Sequence, residues 1–328
     1  MSKQKVIIDC DPGIDDSLAI MLALNSPEIE LIGITVVAGN CPAYMGFQNA
    51  KKVLDFCGRL EAPVYVGADR PRKREYVNAL DTHGADGLGE SFLPEVTGQE
   101  IPEKTAVDFL SESLRDGDVS VIALGPLTNL AELIDRDVEA FLRIKRLVSM
   151  GGNFKSHGNC SPVAEYNYWE DPDSAKLVFD TLYEYHRVIE MVGLDVTREI
   201  VLTPEILEKM KAVNPRTHDF IEKITWFYFK FHWEWEHIRG CVINDPLAVA
   251  QFVCPDILRG INAFTEVETG GISMGQTVVD SHGFYRKDSN ALVYTDVDKA
   301  KFWELFLTRV LETDTERCRK IFFEEILF

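Results

Sequence analysis

The 328-residue chain carries 34 Lys and Arg against 53 Asp and Glu, a formal net charge of −19, and 46% of its residues are hydrophobic. This is globular composition, and the acidic balance argues against nucleic acid and membranes as partners because phosphate backbones and anionic lipids would be repelled. Seven dispersed cysteines without a CxxC pair argue against a disulfide framework or a zinc site and favour a reducing compartment. No signal peptide and no bilayer-spanning apolar run of ~18 residues is apparent, which predicts a soluble, cytoplasmic protein.

The chain alternates between two kinds of pattern. Apolar, β-rich runs that end in Asp, Asn or Gly lie at 5–11, 30–40, 119–129, 146–154 and 187–197. Helical patterns lie between them at 17–24, 42–57, 105–114, 129–134 and 173–185. The alternation predicts the α/β class, with a mostly parallel, doubly wound open sheet and helices on both faces.

The chain lacks internal repeats, low-complexity tracts and linker-like composition, so we expect a single domain over residues 1–328. Two stretches, 70–89 and 225–240, have the least regular patterns. We expect them to be active-site flaps or surface excursions.

The first strand ends in an acidic turn, DCDPGIDD, at residues 9–16. In open α/β sheets, ligands bind beyond the carboxyl ends of the strands, so the four aspartates lie where a site is expected. Helix capping explains one of them. Four carboxylates in one turn repel each other unless a cation binds between them, and an oxygen-only set without His or Cys indicates calcium or magnesium.

Further oxygen donors follow later strands. They are Asn40, the Leu124 carbonyl, Asn159, Glu165, Asn167 and Asp245. Each one has an ordinary structural explanation, since Asn and Asp cap helices and form turns. Their recurrence at successive strand ends favours a common site.

Taken together, these segments resemble the inosine-uridine family of nucleoside hydrolases. The resemblance covers essentially the whole chain, in nine blocks that occur in the right order. They are DCDPGIDD, VVAGN, THGADGLG, LGPLTNLA, MGGNF, GNCSPVAEYNYWEDP, GLDVT, NDPLAVA and VETGGISMGQTVVD. The resemblance implies a mostly parallel α/β sheet, a ribonucleoside substrate, a homodimer or homotetramer, and a role in nucleoside salvage.

The resemblance also implies roles for individual residues. Calcium would be bound by Asp11, both oxygens of Asp16, the Leu124 carbonyl and Asp245. A calcium-bound water would attack the anomeric carbon, with Asp11 as general base and Asn40 orienting that water. The reaction would release a free base and ribose through an oxocarbenium-like transition state.

The substrate-binding residues follow from the same resemblance. Asp15 and Asn167 would hold the 2′- and 3′-hydroxyls, and Glu165 with Asn159 would bind the 5′ side. His83 would line the cleft beside the base, and Met150 of the MGGNF block belongs to the same set.

One position departs from the family pattern. Many members have a histidine before the last metal-binding aspartate, where it protonates the leaving base, but this chain has Asn244, which cannot donate a proton at neutral pH. Three alternatives are open. His232 or His237 in segment 227–240 replaces the acid, Trp233 or Trp235 stacks on a purine, or the enzyme is slow or specialised for a base that leaves unaided.

Two other classes compete with a nucleoside hydrolase. A metal-dependent phosphohydrolase or phosphotransferase would need a phosphate clamp, and the chain has neither a GxxxxGK[ST] loop nor a basic cluster near the acidic turn. A non-catalytic or weakly active nucleoside- or ribose-binding protein would explain Asn244. The retained water-activating aspartate, Asp11, argues against it.

Overall fold

The structure, a computed structural model, describes residues 3–323, so the two ends of the predicted 1–328 domain lie outside the described residues. Its strands are β1 Gln4–Cys10, β2 Ile29–Val36, β3 Val64–Val66, β4 Val119–Ala123, β5 Leu147–Met150, β6 Ile189–Val192, β7 Val201–Leu202, β8 Cys241–Val242, β9 Leu258–Val267, β10 Thr277–Asp280 and β11 Ala291–Val297. Nine of them form one sheet in the order β10-β9-β11-β6-β5-β4-β1-β2-β3.

The sheet is parallel from β11 to β3, and only β9 and β10 run antiparallel to their neighbours. The predicted mostly parallel α/β sheet is therefore confirmed. The antiparallel extension was not predicted, because β9 (LRGINAFTEV) mixes Gly, Asn and Arg with apolar residues. It presents neither a continuous apolar run nor strict alternation. β7 and β8 form a separate antiparallel pair.

The helices are α1 Ile14–Leu24, α2 Ala43–Phe56, α3 Leu80–His83, α4 Ala106–Asp116, α5 Thr128–Leu142, α6 Tyr166–Glu170, α7 Pro172–Glu184, α8 Leu194–Thr197, α9 Pro204–Val213, α10 Pro215–Glu236, α11 Asp245–Val253, α12 Lys299–Val310 and α13 Thr315–Phe322. They cover both faces of the sheet, as β1 demonstrates. Ile8 packs in a buried cluster with α1, α2, α10, α11 and α12, whereas Ile7 packs in a second cluster with α4, α5 and α7. Each face of the sheet thus has its own hydrophobic core.

The expectation of an irregular segment at 225–240 was wrong, because α10 continues through it to Glu236. Ile221, Thr225, Tyr228 and His232 recur at helical spacing on its buried side. Exposed tryptophans on the other side obscure this periodicity in the sequence. Segment 70–89 has only the single turn α3, as its pattern predicted.

All seven cysteines are free thiols. Within residues 3–323, no helix combines the length and the apolar character needed to cross a bilayer.

Candidate active site

The turn between β1 and α1 is fixed by the side chain of Asp16. Its carboxylate accepts the backbone N–H groups of Asp11 at 3.2 Å and Gly13 at 2.9 Å. A Cβ atom at Gly13 would lie 2.5 Å from Nδ1 of His83, so only glycine fits there. The Pro-Gly pair therefore gives a turn in which both the α1 N-terminus and His83 approach the acidic residues.

Asp11 is completely buried between two close backbone segments. Its Oδ2 accepts the N–H of Asn40 at 2.7 Å, and a Cβ atom at Gly39 or Gly125 would collide with its carboxylate. Its Oδ1 is buried without a hydrogen-bond partner. An unpaired buried carboxylate oxygen is costly, and it is the feature expected of a group that binds a cation or a water.

Asp15, Asp16 and Asp245 form the densest acidic cluster of the site. Each offers an oxygen within 4.8 Å of the others, and all three side chains are buried. Asp245 comes from the first turn of α11, more than two hundred residues later in the chain. The fold therefore brings the two distant acidic motifs together, although Asp245 follows β8 of the two-stranded sheet and not a strand of the main sheet.

The electrostatics of this cluster favour the binding of a cation. Burial raises the pKa of Asp16 to about 7, with a further contribution from Asp15. Burial also raises the pKa of Asp11 and of Asp245 well above the ordinary value, with Asp16 and Asp15 respectively as the next cause. No Lys or Arg among the described residues contacts these carboxylates through an ion pair. An oxygen-only, anionic, buried donor set fits a hard divalent cation.

The opposite side of the site is organised by α6. Glu165 caps this helix: its carboxylate accepts N–H groups from Asn167 at 2.7 Å and Gly152 at 2.8 Å. Burial raises its pKa to about 7. The amide of Asn167 donates to the carbonyl oxygens of Leu124 at 2.8 Å and Met150 at 3.1 Å. The structure thus places the Leu124 carbonyl beside a residue predicted to hold the sugar.

Asp15, Asp245 and Leu124 form the floor of a cleft of about 750 Å³, and Asp11 and Asp16 lie buried beneath that floor. Asn40, Asn159, Glu165 and Asn167 all line it, and Asn159 Oδ1 accepts the N–H of Tyr166 at 2.9 Å. Asn40 also donates from Nδ2 to Asp16 at 3.1 Å. The cleft is of the size that encloses a small molecule.

One wall of the cleft contains His83. Its Nδ1 accepts the N–H of Ile14 at 3.2 Å, so the neutral ring carries its proton on Nε2. Burial lowers the pKa of His83. Its ring packs against that of Tyr228 on α10, with the two centroids 5.4 Å apart.

The adjoining wall of the cleft is the C-terminal half of α10. His232 is buried there and lines the cleft, with Nδ1 3.0 Å from the Tyr228 carbonyl oxygen. Trp235 lines the cleft at its rim and is 75% exposed. His237 and Trp233 are exposed and do not line the cleft. Of the two candidate acids, the structure brings only His232 into the cleft.

Asn244, which occupies the position of the family histidine, contacts Asp15. Its backbone N–H and its Nδ2 donate to Asp15 Oδ2 at 3.2 and 3.0 Å. The side-chain Oδ1 is buried without a partner. Asn244 therefore holds Asp15 in place, a contact that the sequence did not reveal.

Comparison with known proteins decides the family. The profile described as inosine-uridine preferring nucleoside hydrolase matches residues 6–304. The chain belongs to this family. Membership confirms both the resemblance recognised in the sequence and the predicted enzyme class, ribonucleoside hydrolase.

Similar proteins cover nearly the whole of this nucleoside hydrolase. The inosine-uridine preferring nucleoside hydrolase of Crithidia fasciculata is 33% identical over 93% of this chain and 96% of its own length. The probable uridine nucleosidase 1 of Oryza sativa subsp. japonica is 35% identical over 85% of each chain. The structure of a purine-preferring ribonucleoside hydrolase from Gardnerella vaginalis matches with a TM-score of 0.87 and 32% identity, over 94% of this chain and 98% of that one.

Some residues of this nucleoside hydrolase's cleft were not found from its sequence. Tyr228 and Phe231 on α10 line the cleft, and so does Arg198, which directly follows the GLDVT block. Arg198 is the one Lys or Arg among the described cleft-lining residues. Arg198 could have been found because it directly follows the GLDVT block. Tyr228 and Phe231 could not, because segment 225–240 was not predicted to be a helix.

A second group that could hold a metal lies elsewhere on α10. It consists of His218, Asp219 and Glu222, of which the two acids are exposed. It contributes nothing to the cleft.

Proposed function

We propose that this protein is a calcium-dependent enzyme that hydrolyses the N-glycosidic bond of ribonucleosides to a free base and ribose. The observation that carries the proposal is the convergence of Asp15, Asp16 and Asp245 within 4.8 Å, beside the unpaired Oδ1 of Asp11. Family membership supports the reaction class. The oxygen-only donor set supports the choice of cation.

The residues proposed to hold calcium are Asp11, Asp16, Asp245 and the carbonyl of Leu124. Asp15 lies as close to Asp16 and Asp245 as a further ligand would. We assign Asp15 to the ribose hydroxyls, together with Asn167, as the family resemblance implies, and Asn244 orients one oxygen of Asp15. When bound, the cation orients the attacking water and the ribose diol and lowers the pKa of that water.

The protein's own groups would do the remaining work. Asp11, whose Oδ1 is free to accept, takes the proton of the attacking water as general base. Asn40 is fixed beside it by its backbone bond to Asp11 and helps to orient that water. The surrounding carboxylates stabilise the positive charge that develops on the ribose, and burial strengthens this interaction.

The 5′ end of the sugar is assigned to Glu165 and Asn159, which line the same side of the cleft. We assign the base to the part of the cleft that His83 and the C-terminal half of α10 line together. Met150 also lines the cleft.

For the leaving base, we propose His232 as proton donor. Its Nδ1 bonds to the Tyr228 carbonyl, so a proton on Nε2 is available for transfer when the ring is charged. Burial lowers the pKa of His232, which makes its imidazolium a stronger acid. Stacking of a base on Trp235 at the rim is compatible with this role.

One alternative is a weakly active or non-catalytic nucleoside-binding member of the family. The observation that favours it is Asn244, whose amide bonds to Asp15 and cannot supply a proton. Calorimetry with inosine beside a ribose assay separates the two, since heat of binding without ribose release would indicate a binder.

The main test is ribose release from a panel of ribonucleosides, with and without a chelator, by the wild type and Asp11→Ala. We expect release by the wild type, its loss on chelation, its recovery on adding calcium, and none from Asp11→Ala. Chelator-insensitive release would contradict the role of the metal. Absence of release from every ribonucleoside would contradict the proposed reaction.

The wider setting is proposed from the family resemblance and the composition. We propose a cytoplasmic homodimer or homotetramer in nucleoside salvage, with a small ribonucleoside as its partner and no binding to nucleic acid or membranes. Light scattering and cell fractionation test the assembly and the location.

A further inference from the structure

The short helix α8, with the residue that follows it, holds the loop that carries Asn159. Asp195 accepts three successive backbone N–H groups, from Phe154 at 2.6 Å, Lys155 at 2.7 Å and Ser156 at 3.0 Å. Arg198 then donates from Nη2 to the carbonyl of Gly158 at 3.0 Å, one residue before Asn159. The first half of the loop is therefore fixed by Asp195 and the second half by Arg198.

The guanidinium of Arg198 is itself held by the opposite wall of the cleft. Its Nη1 lies 3.4 Å from Oε2 of Glu236, the last residue of α10, and 3.2 Å from Nε2 of His157. The side chains of Arg198 and Glu236 are only 19% and 23% exposed. A planar guanidinium group with partners on two sides holds those partners in place more precisely than a flexible ammonium group does.

The loop is tightly folded around Gly158, so it has little freedom to compensate for loss of the bond from Arg198. A Cβ atom at Gly158 would lie 2.1 Å from the carbonyl oxygen of Ser161, so the chain is tightly folded at that residue. The N–H of Asn159 donates to the Ala164 carbonyl at 3.1 Å. The Gly158 carbonyl and the Asn159 N–H belong to one peptide unit, so Arg198 and the Ala164 carbonyl hold the backbone of Asn159 from its two sides.

We propose that Arg198 is a positioning residue for the 5′-hydroxyl subsite, so that discrimination between ribonucleosides with and without a 5′-hydroxyl depends on it. This inference rests on the proposed function, which assigns Asn159 to the 5′ side of the ribose. Because Glu236 neutralises its charge, Arg198 acts through the Gly158–Asn159 backbone and does not form an anion site.

The test compares kcat/KM for uridine or inosine with kcat/KM for the matching 5′-deoxyribonucleoside. In the wild type, we expect the ratio of the two values to be well above one. Arg198→Ala should lower kcat/KM for the full ribonucleoside by roughly 10²-fold, the size expected for a misplaced binding group. For the 5′-deoxy compound, kcat/KM should stay within about twofold of the wild-type value.

Two variants separate this effect from a general structural one. Arg239→Ala removes an exposed arginine paired with Glu205 near the same end of α10, and it should leave the ratio unchanged. Arg198→Lys retains the charge but loses the planar guanidinium group, so it should also lower the ratio of the two kcat/KM values. This variant replaces Arg198→Ala if Arg198→Ala does not fold. Equal losses on both substrates, or a wild-type ratio near one, would overturn the proposal.

Failure of the proposed function gives a different result. If the wild type releases no ribose from any ribonucleoside, the hydrolase proposal fails. The positioning role is then judged by calorimetric binding of ribose against 5-deoxyribose. Loss of the preference for ribose in Arg198→Ala supports the role, and an unchanged preference overturns it.

Discussion

The floor of the cleft and its α10 wall are built in different ways. On the floor, the side chains are fixed by backbone groups of the loops that follow strands of the main sheet: Asp16 by Gly13 after β1, Asp11 by Asn40 after β2 and Glu165 by Gly152 after β5. On the α10 wall, His232 bonds to the carbonyl four residues earlier in its own helix. The floor is thus a property of the sheet, whereas the wall is one face of a single helix whose residues can change independently of the sheet.

This difference leads to separate expectations for sugar and base. Changes on the floor should affect every nucleoside alike, because the cation and the ribose are common to all. Changes on α10 should alter the leaving-group step or base preference and leave calcium binding intact.

The largest effect is expected from the substrate itself. Chelation of both ribose hydroxyls by the floor should make a 2′-deoxyribonucleoside a poorer substrate by about 10⁴-fold in kcat/KM, because buried polar groups are left unpaired. Steady-state kinetics with inosine and 2′-deoxyinosine measure this. Comparable turnover of both substrates would contradict the proposal that the floor binds both ribose hydroxyls.

On the floor, Asp11→Asn keeps the shape of the side chain and removes the proposed general base. We expect kcat to fall by roughly 10³-fold for every ribonucleoside, within the range for loss of a general base. Asp118→Asn, at a side chain that is 88% exposed, is the control and should leave kcat unchanged. If kcat of Asp11→Asn is close to the wild-type value, Asp11 is not the general base.

On the wall, His232→Gln should lower kcat by roughly 10²-fold, as expected for loss of a general acid. His237→Gln, five residues further along and exposed outside the cleft, should have no effect. Calcium affinity should be unchanged in both. The pH profile adds a second check, because a rate that needs charged His232 falls as pH rises through its lowered pKa.

Calcium affinity should depend on pH through the floor. Asp16, a proposed ligand, must be ionised to bind the cation, and its pKa is raised to about 7 in the cation-free protein. Below that pH, affinity should fall about tenfold per pH unit for each proton displaced. Calorimetry in buffers of different ionisation enthalpy would detect the released protons, and a pH-independent affinity would show that the ligands lie elsewhere.

The same groups set the stability of the cation-free protein. A carboxyl whose native pKa is raised from 3.8 to about 7 favours folding below the lower value, and this contribution is lost as pH rises through the higher one. The chelated protein should therefore have a lower Tm at about pH 8 than at about pH 6, and calcium should raise Tm more at the higher pH.

The smallest effect is expected at the rim. Trp235→Leu removes an aromatic ring that is 75% exposed. We expect KM for purine ribonucleosides to rise by only about threefold to tenfold, the range for one exposed stacking contact. A similar change for pyrimidines would argue against stacking on the larger base.

The sequence predicted the floor well because its residues lie in short blocks at strand ends, where the fold brings them together. DCDPGIDD and NDPLAVA illustrate this: each block is local, the first at the end of β1 of the main sheet and the second after β8 of the two-stranded sheet, and the packing of α11 against α1 brings them together. The calcium identity, the individual roles and the single domain remain predictions.

The wall and the supports of the floor could not be predicted in the same way. The exposed tryptophans of α10 masked its helical period, and the Arg198–Gly158 contact joins segments forty residues apart without a recognisable pattern. The bond from Asn244 to Asp15 spans 229 residues. Such contacts depend on how helices pack, which local sequence does not encode.

The central claim is that distant carboxylates share one cation, and a calcium titration of the chelated protein tests it most directly. The account predicts one saturable site per chain in the wild type. It also predicts loss of that site in Asp245→Asn and its retention in Asp219→Asn, which alters the other His/Asp/Glu group. Calcium binding that survives in Asp245→Asn but disappears in Asp219→Asn would contradict it.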